Sequence, residues 1–486
     1  MKKLLLSVAL LFATYQINAQ STMTTTTTTH GLETGQQLGT NVHVGYQAGK
    51  NSVVTTTFAE APAGTIKSNN TFVGFQSGLS NRTGVDNVFL GYQTGLDNNQ
   101  GISNNFLGSS AGANNTNGNN NVFNGFQAGF NNLTGSNNTF TGYKSGFSTT
   151  TVSGNSYYGY QSGTNNTSGV QNTFIGTNAG FNTQGGHNNV YIGYSAGYGS
   201  ALNTGGGNTF TGYNAGYSNT GSSNSFYGFG SGQNTTTGFQ NAFVGTGSGA
   251  ANTNGYYNTY LGTNSGYLDK TGYENVFVGH NAAYNHTSGN SNVIIGDEAG
   301  FNNLTGTGNV FVGNGAGRNE TGSNKFYIAT DYYANPLIYG DFATGKIGIG
   351  GMTTFPANAG SVPVGNYRLF VSGGILTEEV RVHLKASGGW ADYVFGDNYK
   401  LPTLTEVEKY IVDNGHLPNV PSAKQIKEDG LELGQMANIQ QEKIEELTLY
   451  AIQQNKKIEA QKSQLEQQQK EIDELKAAVK VLMDKQ

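Results

Sequence analysis

Between residues 41 and 317 the chain returns sixteen times to one short pattern, Asn-x-aromatic-x-Gly-x-x-small-Gly, most often at an interval of seventeen residues. A period that short and that constant marks a solenoid, in which each repeat is one coil that buries its inner face only by stacking on its neighbours. With the central glycine as origin, the origins run from Gly45 through Gly74, Gly91 and Gly108 to Gly313. The residue four before the origin is Asn in all sixteen, and the residue two before is Phe or Tyr except at His43 and Ile294. Three after is always Ala, Ser or Thr, and four after is Gly except at Ala283. The interval changes only at the first repeat and around Gly212, which confines insertions to loops.

In a stack, like residues lie above one another at the strand spacing of ~4.8 Å. Asparagines such as Asn138, Asn172, Asn189 and Asn208 then form a ladder whose amides donate to one neighbour and accept from the next. Rings such as Phe174 and Phe210 form an inward column, each burial worth roughly 2–3 kcal/mol before entropy is charged against it. The glycine four after the origin, and the one seven before it (Gly135, Gly169, Gly238), are expected where the coil turns through positive φ. The predicted fold is mainly β: a β-solenoid, or β-roll, of about sixteen coils, followed by a small α/β module and a C-terminal coiled coil.

Only 11% of residues are charged and 35% hydrophobic, and residues 69 to 317 contain nine Asp, Glu, Lys or Arg. Such a composition without phasing would argue disorder; the fixed period argues order. A net charge of −5 gives no electrostatic footprint for nucleic acid or an anionic membrane. Residues 1–19, with Lys2 and Lys3, an apolar run from Leu4 to Ala13 and a small-residue site ending at Ala19, read as a cleaved secretory signal peptide. Residues 20–40 read as a Thr-rich spacer, and no other segment reads as spanning a membrane. The expected location is extracellular or at the cell surface. No Cys is present, which excludes disulfides and thiolate metal sites.

Beyond the solenoid head at 41–317, a transition or cap is expected over 318–345 and a β neck with a small α/β module over 346–430. Ile347/Ile349, Leu369/Val371 and Val380/Val382/Leu384 alternate like short strands. Thr403 with Glu406 and Ser422 with Gln425 are capping-box pairs that open two helices, stopped at Asn414-Gly415 and near Gly430. Over 431–486 a heptad register places Ile444, Ala451, Ile458, Leu465, Ile472 and Val479 at a, and Leu447, Gln454, Gln461, Gln468, Leu475 and Leu482 at d. That seam predicts a trimerising coiled coil, with Ile444, Ile458, Leu465, Ile472, Leu475 and Val479 as its contacts and three rings of glutamine in its middle.

Residues 172–180 (NTFIGTNAG), 189–197 (NVYIGYSAG) and 208–216 (NTFTGYNAG) resemble the head repeats of YadA-like trimeric autotransporter adhesins. The resemblance covers 41–317 and implies a left-handed β-roll shared by three chains, although those heads use shorter, Ala-richer repeats and end in a membrane β-barrel anchor. KIGIG at 346–350, YRLFVSGGI at 367–375, the stretch 390–423 and KIEELTLYAI at 443–452 resemble the terminal module of tail-fibre-like surface proteins. That module is similar to the intramolecular chaperone domain of phage tail spikes, which trimerises fibres and in some members cleaves itself at a Ser-Asp motif. Residues 387–392 (SGGWAD) lack that dyad, so self-cleavage is not expected.

No catalytic constellation, metal site or cofactor motif stands out. The seven His are scattered, and His280 and His286 are expected at solvent-facing positions. Asp269, Glu274, Asp297 and Glu298 fall on separate turns, unlike the paired carboxylates of a glycosidase. The residue after the origin is aromatic in nine repeats, among them Tyr92, Phe126, Tyr143, Tyr160, Tyr194 and Tyr213, and polar in the other seven. Variation at a fixed position suggests a surface, either a subunit interface or a contact for a ligand. The expected function is therefore that of a non-catalytic exported adhesin or structural fibre, homotrimeric, with a glycan or host or matrix surface as its possible ligand. The alternative is a tail-fibre-like glycan-binding or glycan-cleaving protein with a non-cleaving chaperone module.

Overall fold

The computed structural model describes residues 41–52, 69–200, 203–332, 335–383 and 389–484, so the signal-peptide and spacer segments, and Leu384, Ser387 and Gly388, lie outside the described residues. The chain divides into two compact units, residues 1–353 and 354–486.

The first unit is a β-solenoid. Sixteen three-residue strands, from Val42–Val44 to Val310–Val312, pair in parallel with the strand of the next coil. The register places like on like: Phe106 pairs with Phe123, and Phe123 with Phe140. From the second strand onward only the middle residue is fully buried, while the two flanking residues face outward. The rest of the coil is turn, yet it too is bonded to its neighbours. Gly112 N–H donates to Ala128 at 2.9 Å and Asn114 N–H to Phe130 at 3.0 Å in the following coil.

The core is columnar rather than globular. Phe72, Phe89, Phe106 and their successors are fully buried, with successive rings stacked 4.6 to 4.9 Å apart. Beside them runs the column of small residues three after the origin, including Ala128, Ser145 and Ala179, also fully buried. Ring and small residue share the interior with buried asparagines such as Asn132 and Asn138.

The glycines divide their roles differently from the expectation. The central glycine takes an extended positive φ, 130° at Gly108, where a Cβ would meet the Gly125 carbonyl oxygen at 2.6 Å. The glycine four after lies in the left-handed region, φ 57° at Gly112, against the face of Phe106. Gly135, Gly169 and Gly238 do not have positive φ; close packing selects them, since a Cβ on Gly238 would meet the Gly255 carbonyl oxygen at 2.5 Å.

The stack also outlasts the expected boundary. Lys325–Ile328 pairs in parallel with Val310–Val312, and an antiparallel pair, Ile338–Asp341 and Lys346–Ile349, then closes that end. The Ile347/Ile349 strand thus falls within the unit of residues 1–353.

In the second unit Leu369–Val371 is a strand. Val380 and Val382 are exposed and lie in no strand; among the described residues none pairs with them, and alternation without a partner satisfies no main-chain groups. Both capping boxes are present, opening helices Leu404–Asn414 and Ala423–Asp429, with Gly415 in the left-handed conformation. A single helix of 51 residues, Leu433–Met483, follows. Its first turns carry the packing of the unit: the phenols of Tyr393 and Tyr399 donate to Glu442 and Glu446, and Tyr450 donates to the Pro402 carbonyl at 2.6 Å. No helix among the described residues is long and apolar enough to cross a membrane.

Candidate functional site: the exposed ring columns

Asparagine fixes the coil-to-coil geometry on which any surface array depends. The Asn172 side-chain carbonyl accepts the main-chain N–H of Asn189 at 2.9 Å, and its amide donates to the Gly186 carbonyl at 2.8 Å. Asn138, Asn189 and Asn208 repeat this arrangement, each donating to a carbonyl of the next coil. The ladder thus joins side chain to main chain, and the expected amide-to-amide bonds add to it where Asn172 donates to Asn155 at 3.3 Å, Asn241 to Asn224 at 3.2 Å and Asn292 to Asn275 at 3.0 Å. Shorter amide-to-amide rungs run through a second column, seven after the origin, where Asn98 donates to Asn81, Asn115 to Asn98 and Asn132 to Asn115, each at 2.7 Å. Sequence reasoning missed this column because it drifts to Thr183, Asp269 and His286.

Two residues of that second column are corrected by the structure. His286 is fully buried rather than solvent-facing, with Nδ1 3.5 Å from Asp269. Asp269, fully buried as well, accepts from the Tyr260 phenol, whose pKa burial and the adjacent carboxylate push far up. An acid so enclosed has no access to a glycosidic bond. Among the described residues no group of three His, Asp or Glu could hold a metal ion.

The residues after the origins lie outside. Tyr92, Phe126, Tyr143, Tyr160, Tyr194 and Tyr213 are 39 to 51% exposed. They stack along the solenoid in runs of three: Tyr46, Phe75, Tyr92; Phe126, Tyr143, Tyr160; Tyr194, Tyr213, Phe229. Stacked rings cover each other's faces, so the interior of a run offers a ligand only ring edges and hydroxyls. A second, half-buried ring column, five after the origin, carries Phe181, Tyr198 and Tyr217, then Tyr267, Tyr284 and Phe301. It was missed for want of attention to phase, since it obeys the same seventeen-residue period.

Toward the closed end the first column becomes polar. His280 Nδ1 meets Asp297 at 2.7 Å, and Tyr332 donates to the same carboxylate at 2.6 Å. The Tyr332 hydrogen bond, followed by that of His280, holds the Asp297 carboxyl below its ordinary range, while the Tyr332 phenol is pushed up to about 12. Arg318 bonds Glu298 at 2.7 Å and lies over the rings of Phe301 and Tyr332.

Two apolar surfaces accompany the rings. On the outer strand face, Leu107, Ile175, Ile192, Val244, Leu261 and Ile295 are 37 to 47% exposed. On the long helix, Ile444, Ile458, Leu465, Ile472, Leu475 and Val479 are 45 to 67% exposed, as are Leu447 and Leu482. Comparison with known protein families, characterised proteins and solved structures finds no match to this chain.

Proposed function

We propose that the chain is a non-catalytic, exported fibrous adhesin that works as a homotrimer. Its solenoid is the binding head, residues 354–430 form a small α/β module, and the long helix trimerises as a coiled coil. The observation that carries this is the bare heptad seam: eight apolar a and d residues, all at least 45% exposed, along one 51-residue helix. A seam of that length is unstable in water without partner helices. The other described helices, of 11 and 7 residues, are too short to cover it. Copies of the same helix are the partners of matching length.

Ile or Val at a with Leu at d, taken alone, favours two strands. Gln454, Gln461 and Gln468 favour three, because a wider axis lets polar side chains bond one another and water. The aliphatic outer strand face offers each head a second self-contact. Export agrees with the signal-like residues 1–19, and the outward rings and hydroxyls suit a glycan or matrix ligand. The mass of the full chain in dilute solution tests the assembly. Three chains per particle is the expected result; a monomer or a dimer refutes it.

A further inference from the structure

The first ring column is interrupted, and the interruption at the coil of Gly108 is unlike the others. Rings occupy the coils on both sides, ending at Tyr92 and resuming at Phe126, with Ser109 between. The neighbouring positions of that coil shrink too: Ser110 stands where the flanking coils carry Gln93 and Gln127, and a buried Ala113 where they carry the half-buried Leu96 and Phe130. Because Leu90 pairs with Leu107 and Leu107 with Asn124, Tyr92 and Phe126 belong to one column with a single rung missing.

Adjacent rungs of the column lie 5.0 to 5.4 Å apart. Two rungs separate Tyr92 from Phe126, roughly 10 Å at twice the strand spacing. That width admits one ring, in contact with a wall on each side. The exposures record the open faces. Tyr92 is 51% exposed against 41% for Phe75 inside its run, and Phe126 is 44% exposed against 39% for Tyr143.

Polar groups line the slot. The Gln93 amide donates to Gln76 at 2.9 Å, but no glutamine follows to use its carbonyl. Among the described residues the side chains of Ser109, Ser110 and Gln127 take part in no hydrogen bond. A phenyl ring would fill the width and leave these donors and acceptors unused. A pyranose presents C–H faces to the two walls and hydroxyls at its edge to the amides and serines. The remaining interruptions lack one of these features. Thr177 has Asn178 and Phe181 beside it instead of small residues, and Thr246 has Thr263, not a ring, on one side.

We propose that the coil of Gly108 carries a slot for one pyranose unit of a glycan, held between Tyr92 and Phe126 and bonded at its edge by Gln93, Ser109, Ser110 and Gln127. This deepens, and rests on, the reading of the head as a glycan-contacting fibre, but it does not depend on three chains. Saturation-transfer NMR on the full chain tests it with the methyl glycosides of glucose, galactose, mannose and N-acetylglucosamine, and with N-acetyltyrosinamide as the aromatic rival. At least one glycoside binds, with Kd on the order of 1 mM. Ser109→Tyr restores the missing rung on a backbone that nine other coils already use for a ring, and raises that Kd by a factor of ~10 or more. Thr263→Tyr, which adds a ring far from the slot, leaves it unchanged. No glycoside binding, equal binding by Ser109→Tyr, or a response to N-acetyltyrosinamide alone overturns the slot. Particle mass keeps the two readings apart: a trimer that binds no glycoside refutes only the slot, and a monomer that binds one refutes only the trimer.

Discussion

Asn172 and Asn189 are joined across a coil boundary by a side chain that replaces a strand bond: the Asn172 carbonyl takes the Asn189 main-chain N–H at 2.9 Å while both residues are fully buried. With its amide spent on Gly186, Asn172 satisfies two main-chain groups of the next coil that no water can reach. Asn172→Ala leaves both unsatisfied. The expected loss is about 2–5 kcal/mol, read as a lower melting temperature. A variant that melts like the parent would mean that the ladder does not hold the coils.

Inner and outer rings should respond unequally to truncation. Phe174 is fully buried between Tyr157 and Tyr191, so Phe174→Ala opens a cavity and costs about 3–5 kcal/mol. Tyr160 is 48% exposed at the end of a run, and Tyr160→Ala costs about 1 kcal/mol or less. Chemical denaturation of the two variants measures the contrast, and equal losses would refute the columnar core. The double variant Tyr143→Ala with Tyr160→Ala separates the two roles of the outer column. Reduced surface binding with an intact trimer is expected; intact binding with a weakened trimer would assign these rings to the subunit interface.

How far the fold was legible depended on whether a signal was local or periodic. The inner ring column and the helix caps at Thr403 and Ser422 were readable because one residue type at one phase suffices. That Asn172 also bonds main chain was not readable, because it depends on where the coil carries the Gly186 carbonyl. The burial of His286 was hidden by a column in which Asn, Thr, Asp and His all fit. Val380 and Val382 show the opposite failure: alternation alone promised a strand, and among the described residues no strand pairs with them. At the candidate site the ring column could be read from its phase, whereas the missing rung at Ser109 acquires meaning only once its neighbours are known to be in register.

The central glycine should be the least replaceable residue of a coil. At Gly108, with φ 130° and the Gly125 carbonyl in the path of a Cβ, Ala strains the backbone and separates two coils. Gly108→Ala is expected to cost more than Gly112→Ala, since Ala283 already occupies the position equivalent to Gly112 with φ 52°. Paired thermal melts check the order, and the reverse order would contradict the assigned roles.

The Asp297 corner predicts a pH response. A carboxyl whose folded pKa is depressed contributes stability above its ordinary pKa and loses it as pH falls through the folded value. NMR titration should therefore place the Asp297 midpoint below the reference of ~3.9. Tyr332→Phe, which removes the largest cause, should move it back up. An unmoved midpoint would remove the phenol from the account.

Removal of residues 431–486 takes away the proposed alignment device. Without it, identical repeats of three chains can meet out of register, so misassembled or aggregated heads are expected in light scattering and mass measurements. Homogeneous trimers of that truncated chain would contradict the role given to the helix.

The decisive measurement is of distance against repeat number. The chain has no cysteine, so spin labels can be placed on single Cys substitutions at exposed, equivalent turn positions: Gln100 paired in turn with Ser168, Thr237 and Thr271. Pulsed electron resonance on labelled chains diluted into unlabelled ones should return about 19, 38 and 48 Å, a rise of ~4.8 Å per coil. Distances that level off or scatter as coils are added would contradict the stacked solenoid.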